Sequence, residues 1–240
     1  MSAFVGRVDA LEVIGELVGV AVRGHAPAAA VIMGDPGSGK SRLLAEAVAR
    51  VQLPNRFRVV GYEPERVVPL ASASDLLLAL ASAGPEGRRL AALVFDVGRE
   101  EESPLEPLRV FEATHRALRA VAPAIVLIDD LQWVDELSLA LCHYLVRAAE
   151  ATGQPLALVT AARSSPSTGS FVASLERALP SERLRRIELG PLASDEAFTL
   201  VHALAPTLGD EAARDLVERS GGPPFWLEAL VRSGGGEVDA

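Results

Sequence analysis

Apolar positions recur along this chain with two different periods. Over residues 9–23, Leu11, Ile14, Leu17 and Val18 fall three or four apart, which predicts an amphipathic helix. The next run, residues 28–33, is continuously apolar and is bounded by Pro27 and Gly34, as expected of a strand buried on both faces. Residues 125–129, 156–162 and 184–189 repeat that signature, and residues 57–61 form a further strand candidate. Helical spacing fills the intervals at residues 41–51 and 137–149, and a helical and loop-rich stretch over 63–122 includes helices at 74–83 and 108–121. Apolar strands alternating with helices predict an α/β fold with a five-stranded parallel sheet between helices. From residue 193 the strands cease. Helices are expected at 194–204 and 210–220, with Ser194 and Asp210 as caps ahead of acidic first turns, and at 225–232. The chain therefore divides into an α/β domain (1–192), a small helical lid (193–232) and a glycine-rich tail (233–240), a linker or frayed end.

Composition narrows the chemistry. The 240 residues suffice for a core without staples, and the single cysteine, Cys142, excludes an internal disulfide and a cysteine-only metal cage. His25, His115, His143 and His202 lie too far apart for metal-ligand spacing. No segment approaches the ~20 apolar residues that span a bilayer, and no basic-then-apolar leader opens the chain, so no membrane contact and a cytoplasmic location are expected. The net charge of −9 argues against direct DNA binding by this segment. Arg183, Arg185 and Arg186 form a short basic cluster, read as a solvated strand entry. Lys40 is the only lysine, and every other residue of the Lys and Arg set is arginine.

That lysine lies in Gly34-Asp35-Pro36-Gly37-Ser38-Gly39-Lys40-Ser41, which fits the P-loop pattern in full. Glycines let backbone N–H groups wrap around phosphate, and the following helix adds its positive end. Lys40 is expected to reach the β- and γ-phosphates, and the Ser41 hydroxyl to ligate magnesium. The expected ligand is ATP or ADP with Mg2+. A second element, Ala124-Ile125-Val126-Leu127-Ile128-Asp129-Asp130, ends a buried strand in two carboxylates. Asp129 would serve the magnesium. Asp130 would orient or deprotonate the attacking water, or else be a turn residue. Arg163 ends the next apolar strand, where it either faces the γ-phosphate or belongs to a surface loop over 164–169.

Together these motifs resemble the AAA-type ATPase module of the signal-transducing NTPases with numerous domains, with the nearest likeness to the large ATP-binding LuxR-type regulators. Phe4-Val5-Gly6-Arg7 resembles the family's N-terminal motif, and the resemblance implies that Val5, Gly6 and Arg7 lie near the adenine. Asp129-Asp130-Leu131-Gln132-Trp133-Val134-Asp135 is similar to its strand-end signature, and Arg163 to its first sensor. Leu189-Gly190-Pro191-Leu192 resembles the lid entry. Gly221-Gly222-Pro223-Pro224-Phe225-Trp226-Leu227-Glu228 resembles the glycine-x-proline segment, which puts Pro224 against the adenine. Val8 stands where the family carries an acidic residue, and Pro223 where it carries asparagine. The implied nucleotide site is thus residues 34–41 with Arg42, Val5, Gly6, Arg7 and Pro224. Lys40, Asp130 and Arg163 would be its catalytic groups, and Ser41 and Asp129 its metal ligands.

The resemblance implies a slowly hydrolysing ATP switch of a transcriptional regulator. A P-loop kinase or other phosphotransferase and a non-hydrolysing ADP-binding module remain alternatives. The family's winged-helix, repeat-containing sensor and helix-turn-helix parts do not appear in this sequence. Self-association, or contact with such domains, is open.

Overall fold

A computed structural model describes residues 4–94 and 106–234. The expected tail at 233–240 lies outside these from residue 235 onward, as do residues 95–105 of the stretch expected to be helical and loop-rich. Five parallel strands form one sheet: β1 (Ala28–Gly34), β2 (Asn55–Val60), β3 (Ala124–Asp129), β4 (Leu156–Ala162) and β5 (Leu184–Leu189), in the order β2-β3-β4-β1-β5. The helices are α1 (Val8–Gly24), α2 (Lys40–Arg50), α3 (Ser74–Ala81), α4 (Gly84–Val94), α5 (Pro107–Ala120), α6 (Glu136–Thr152), α7 (Pro166–Ala178), α8 (Ser194–Leu204), α9 (Asp210–Ser220) and α10 (Pro224–Arg232).

The continuous apolar strands are apolar because each feeds two cores. In β3, Ile125 and Leu127 pack with α1 and α2, whereas Val126 and Ile128 pack with α3 and α5 to α7 on the opposite face. A third cluster, built on Leu192, Ala197, Val201, Ala213 and Leu227, joins α8, α9 and α10.

Two helices were not predicted. In α4 the sequence Gly-Pro-Glu-Gly has poor intrinsic propensity. Packing holds it there: a Cβ on Gly87 would sit 2.1 Å from the Leu80 carbonyl, so only glycine allows α4 this close to α3. In α7 the opening Pro-Ser-Thr-Gly reads as a loop, yet Ser165 caps the helix by accepting from the Thr168 N–H, and Phe171, Val172 and Leu175 are buried. The loop expected over 164–169 therefore ends at Ser165. Ser194 and Asp210 are also not the caps. They are the first helical residues, after Ala193 and Gly209. The Glu196 carboxylate supplies the capping contact on α8 by accepting from the Ala193 N–H at 3.1 Å. Arg183 is not merely solvated. It is half-buried and bound by two hydrogen bonds to Glu150, at 2.5 and 2.7 Å. Cys142 is fully buried in α6, and burial pushes its thiol up to about 12.

Candidate nucleotide site

All five strands point the same way, so their carboxyl ends share one edge. Met33 pairs with Ala162 and Gly34 with Leu189, which brings the loop after β1, Arg163 after β4 and Gly190 after β5 to one level. Asp129 ends β3 one strand further on, beyond β4. A cleft of about 460 Å³ opens at this edge. Its floor is the loop from Pro36 to Ser41 together with Arg42, and Asp130 and Arg163 flank it. Phe4, Val5 and Arg7 approach from the chain's beginning. Leu192, Leu200, Pro224, Phe225 and Glu228 close it from the α8–α10 side.

The loop is shaped by Gly37 and Gly39, at φ 79° and 92°, which a β-carbon would strain. Lys40 is buried, and its ammonium donates to the carbonyls of Gly34 and Asp35, each at 2.8 Å. Burial and then the nearby Arg163 charge hold its pKa below the usual lysine range. Asp130, Asp35 and Asp129 pull the other way. The Ser41 hydroxyl donates to Asp129 Oδ1 at 2.9 Å, although the two residues are 88 apart in sequence. Burial raises the Asp129 carboxyl, and the Ser41 hydrogen bond partly offsets that. Two adjacent oxygen donors beside a phosphate loop suit a hard divalent cation such as Mg2+. When bound there, such an ion would neutralise phosphate charge.

Not every expected residue faces the cleft. Gly6, Gly34, Asp35 and Asp129 do not line it, and Asp129 meets the site through Ser41. Gly6 lies against the Glu196 carboxylate, 2.5 Å from where its Cβ would be, and Gly34 against the Leu189 carbonyl. Arg7 lines the cleft and is also anchored in the fold. Its backbone N–H donates to Glu196 at 3.3 Å, and its guanidinium donates to the Gly190 and Ser38 carbonyls. It thereby ties α8, the exit of β5 and the phosphate loop together. α10 also touches the loop directly: the Phe225 N–H donates to the Gly37 carbonyl at 3.2 Å, and Pro224 lies 3.7 Å from a Cβ placed on Gly39.

The sequence did not single out Gln132, Leu200, Phe225 or Asp135 as functional positions. Leu200 carries the spacing of any core leucine. Gln132 is buried, with both ends of its amide engaged at the site edge: Nε2 donates to Asp130 Oδ1 at 2.8 Å, and Oε1 accepts from the Arg163 N–H at 2.9 Å. Asp135 is buried at the N-cap of α6. It accepts from the N–H groups of Ser138, Leu70 and Ser72 at 2.9, 2.9 and 3.1 Å, and so fixes the loop before α3, including Leu70 at φ 62°. A carboxylate three residues ahead of a serine was the available signal.

Burial alone would raise the Asp135 carboxyl. The bonds from Ser138, Ser72 and Leu70 outweigh it, so its pKa falls below the ordinary 3.8. Such a group adds stability that is fully present above its unfolded pKa and is lost as pH falls through the folded one. Asp135→Asn turns a donor toward backbone N–H groups. It is expected to cost roughly 3 kcal/mol and lower Tm by about 6–12 °C at neutral pH. The difference from wild type should shrink on acidification below about pH 4. Thermal unfolding monitored by circular dichroism checks this, and a drop under about 2 °C at neutral pH would show that the three bonds carry little.

Residues 3–159 match the family described as the AAA ATPase domain. An uncharacterized protein of Rhizobium meliloti (strain 1021) is 30% identical over 273 residues, which takes in 95% of this chain and 25% of that protein. The chain thus spans about a quarter of its curated relative. Among solved structures, a signal transduction ATPase with numerous domains and a tetratricopeptide repeat sensor, from Pyrococcus horikoshii, is similar with a TM-score of 0.63 at 20% identity, over 100% of this chain and 31% of that one. The AAA domain of FIGL-1 in complex with ADP is similar with a TM-score of 0.54 at 13% identity, over 96% of this chain and 70% of that one. These two likenesses concern the fold. The family match extends over well over half of the chain and takes in both the phosphate loop and the paired carboxylates that fold against it: the chain belongs to the AAA ATPase domain family.

Proposed function

We propose that this chain is an ATP-binding and slowly hydrolysing switch module of a LuxR-type transcriptional regulator. The observation that carries the nucleotide and switch parts is a single cleft lined from two bodies, the carboxyl edge of the sheet and the helices α8 and α10. In this reading the Lys40 ammonium exchanges its two loop carbonyls for phosphate oxygens. Ser41 and Asp129 hold magnesium, Asp130 orients the attacking water, and Arg163 faces the γ-phosphate. Phe4, Val5, Leu192 and Pro224 provide an apolar berth for the base. The regulator part is supported by the resemblance of the segments at 129–135 and 221–228. The Pyrococcus neighbour, a signal-transducing ATPase with a sensor, is in keeping with it. DNA contact is assigned to other parts of such a regulator, because this segment carries a net charge of −9. Among the described residues no helix is long and apolar enough to cross a membrane.

A ligand that touches both bodies shifts their equilibrium only by the difference between its contacts in the two states. ADP and a non-hydrolysable ATP analogue are therefore expected to give different hydrogen exchange over residues 194–232, by about tenfold in the rates of the most affected amides. Arg163→Ala should remove most of that difference. Identical protection with both nucleotides would refute the switch and leave a nucleotide-stabilised lid.

A further inference from the structure

We infer that Gln132 is a positioning residue that couples Asp130 to the strand end bearing Arg163, so that both act on the nucleotide as one unit. The inference rests on the hydrolysis reading above. A primary amide has one donor end and one acceptor end, and Gln132 uses them on different strands. Nε2 donates to the Asp130 carboxylate beyond β3, and Oε1 accepts from the Arg163 backbone beyond β4. Turned over, the amide would set its carbonyl against a carboxylate and its NH2 against an N–H, so the orientation is unique. Gln132 is 6% exposed with both ends occupied, and does not line the cleft. It acts through its neighbours and does not itself reach water or nucleotide.

Each neighbour is otherwise arranged to benefit from this link. Asp130 is held in the left-handed region at φ 49°, a conformation that costs a non-glycine residue energy. Its backbone carbonyl is fixed by the Trp133 N–H at 2.8 Å. Among the described residues, Gln132 is the hydrogen-bond donor to its carboxylate. Arg163 has its carbonyl fixed by the buried Thr168 hydroxyl at 2.9 Å and its N–H fixed by Gln132, while its side chain is left exposed at the cleft. The backbone is clamped on both sides, and the exposed guanidinium has no hydrogen-bond partner among the described residues. A carboxylate and a guanidinium brought to one nucleotide from different strands need a common frame, because misplacement by about 1 Å costs roughly 100-fold in rate.

Wild type, Gln132→Ala, Asp130→Gly and the double variant form the test. Glycine keeps the left-handed turn, and Gln132→Met keeps the buried volume if alanine impairs folding. Gln132→Ala is expected to lower phosphate release at saturating ATP by about 10- to 100-fold, with ADP affinity within about threefold of wild type. The double variant should be within about threefold of Asp130→Gly alone, since Gln132 has then lost the group it positions. Exchange of the Arg163 amide, followed by NMR without nucleotide, should speed up in Gln132→Ala and also in Asp130→Gly. Multiplicative losses in the double variant, loss of ADP affinity in step with turnover, or an Arg163 amide unaffected by Asp130→Gly would each overturn the coupling. If wild type released no phosphate, the proposed activity would fail instead, and the exchange comparison would still decide whether Gln132 links the two groups.

Discussion

Lys40→Ala is expected to weaken ATP binding by roughly 30- to 4,000-fold, the equivalent of about 2–5 kcal/mol for losing one partner of a buried charge pair. The chain has no second lysine to substitute. The cation lining the cleft whose charge acts on Lys40 is Arg163, a planar group after β4 that cannot enter the space a slim ammonium fills between loop carbonyls. The fold should survive, because the carbonyls released by the substitution belong to the half-buried Gly34 and the exposed Asp35, where water can replace the ammonium. Titration with a fluorescent ATP analogue, with Tm as the control, checks this. Equal affinity in a folded variant would mean that this loop does not bind the phosphates.

The paired carboxylates should separate in their effects. Asp129→Asn is expected to reduce magnesium-dependent binding, because Asp129 is the group joined to the Ser41 hydroxyl at 2.9 Å. Asp130→Asn should leave binding nearly intact and lower turnover by about 100- to 10,000-fold, the range for removing a group that acts on a proton in flight. Asparagine tolerates the left-handed backbone and can still accept from Gln132, so the second variant isolates charge from geometry. Binding measured with and without magnesium, beside single-turnover phosphate release, distinguishes the two. Parallel loss of binding in both variants would refute this division of roles.

Much of this was legible in the chain. The runs at 28–33, 125–129 and 156–162 read as strands buried on both faces, and are. The glycines of 34–39 and the lone lysine described a phosphate loop before any coordinates, because a backbone that wraps an anion needs those residue types at those spacings. Helices whose register puts apolar residues on one face, such as α1 and α8–α10, were placed to within a residue or so. Local signals of this kind are carried by neighbours in sequence, and a reader of the sequence sees neighbours.

What the tertiary structure decided involves partners far apart. The strand order puts β4 between the loop strand and Asp129, and no local periodicity encodes which strands lie side by side. α4 exists because Gly87 lets it press onto α3, and α7 because Ser165 and the core hold a sequence that looks like a loop. Arg7 lines the cleft as the resemblance implied, and only folding shows that it is also a staple across Ser38, Gly190 and Glu196. Gln132 is two residues from Asp130 and 31 from Arg163, and its amide acquires a task only when both arrive. A hydrogen bond or a close backbone approach is a property of two positions in space. Where those positions are separated by tens of residues, the amino-acid types permit the contact and only the packing of the sheet and its helices makes it.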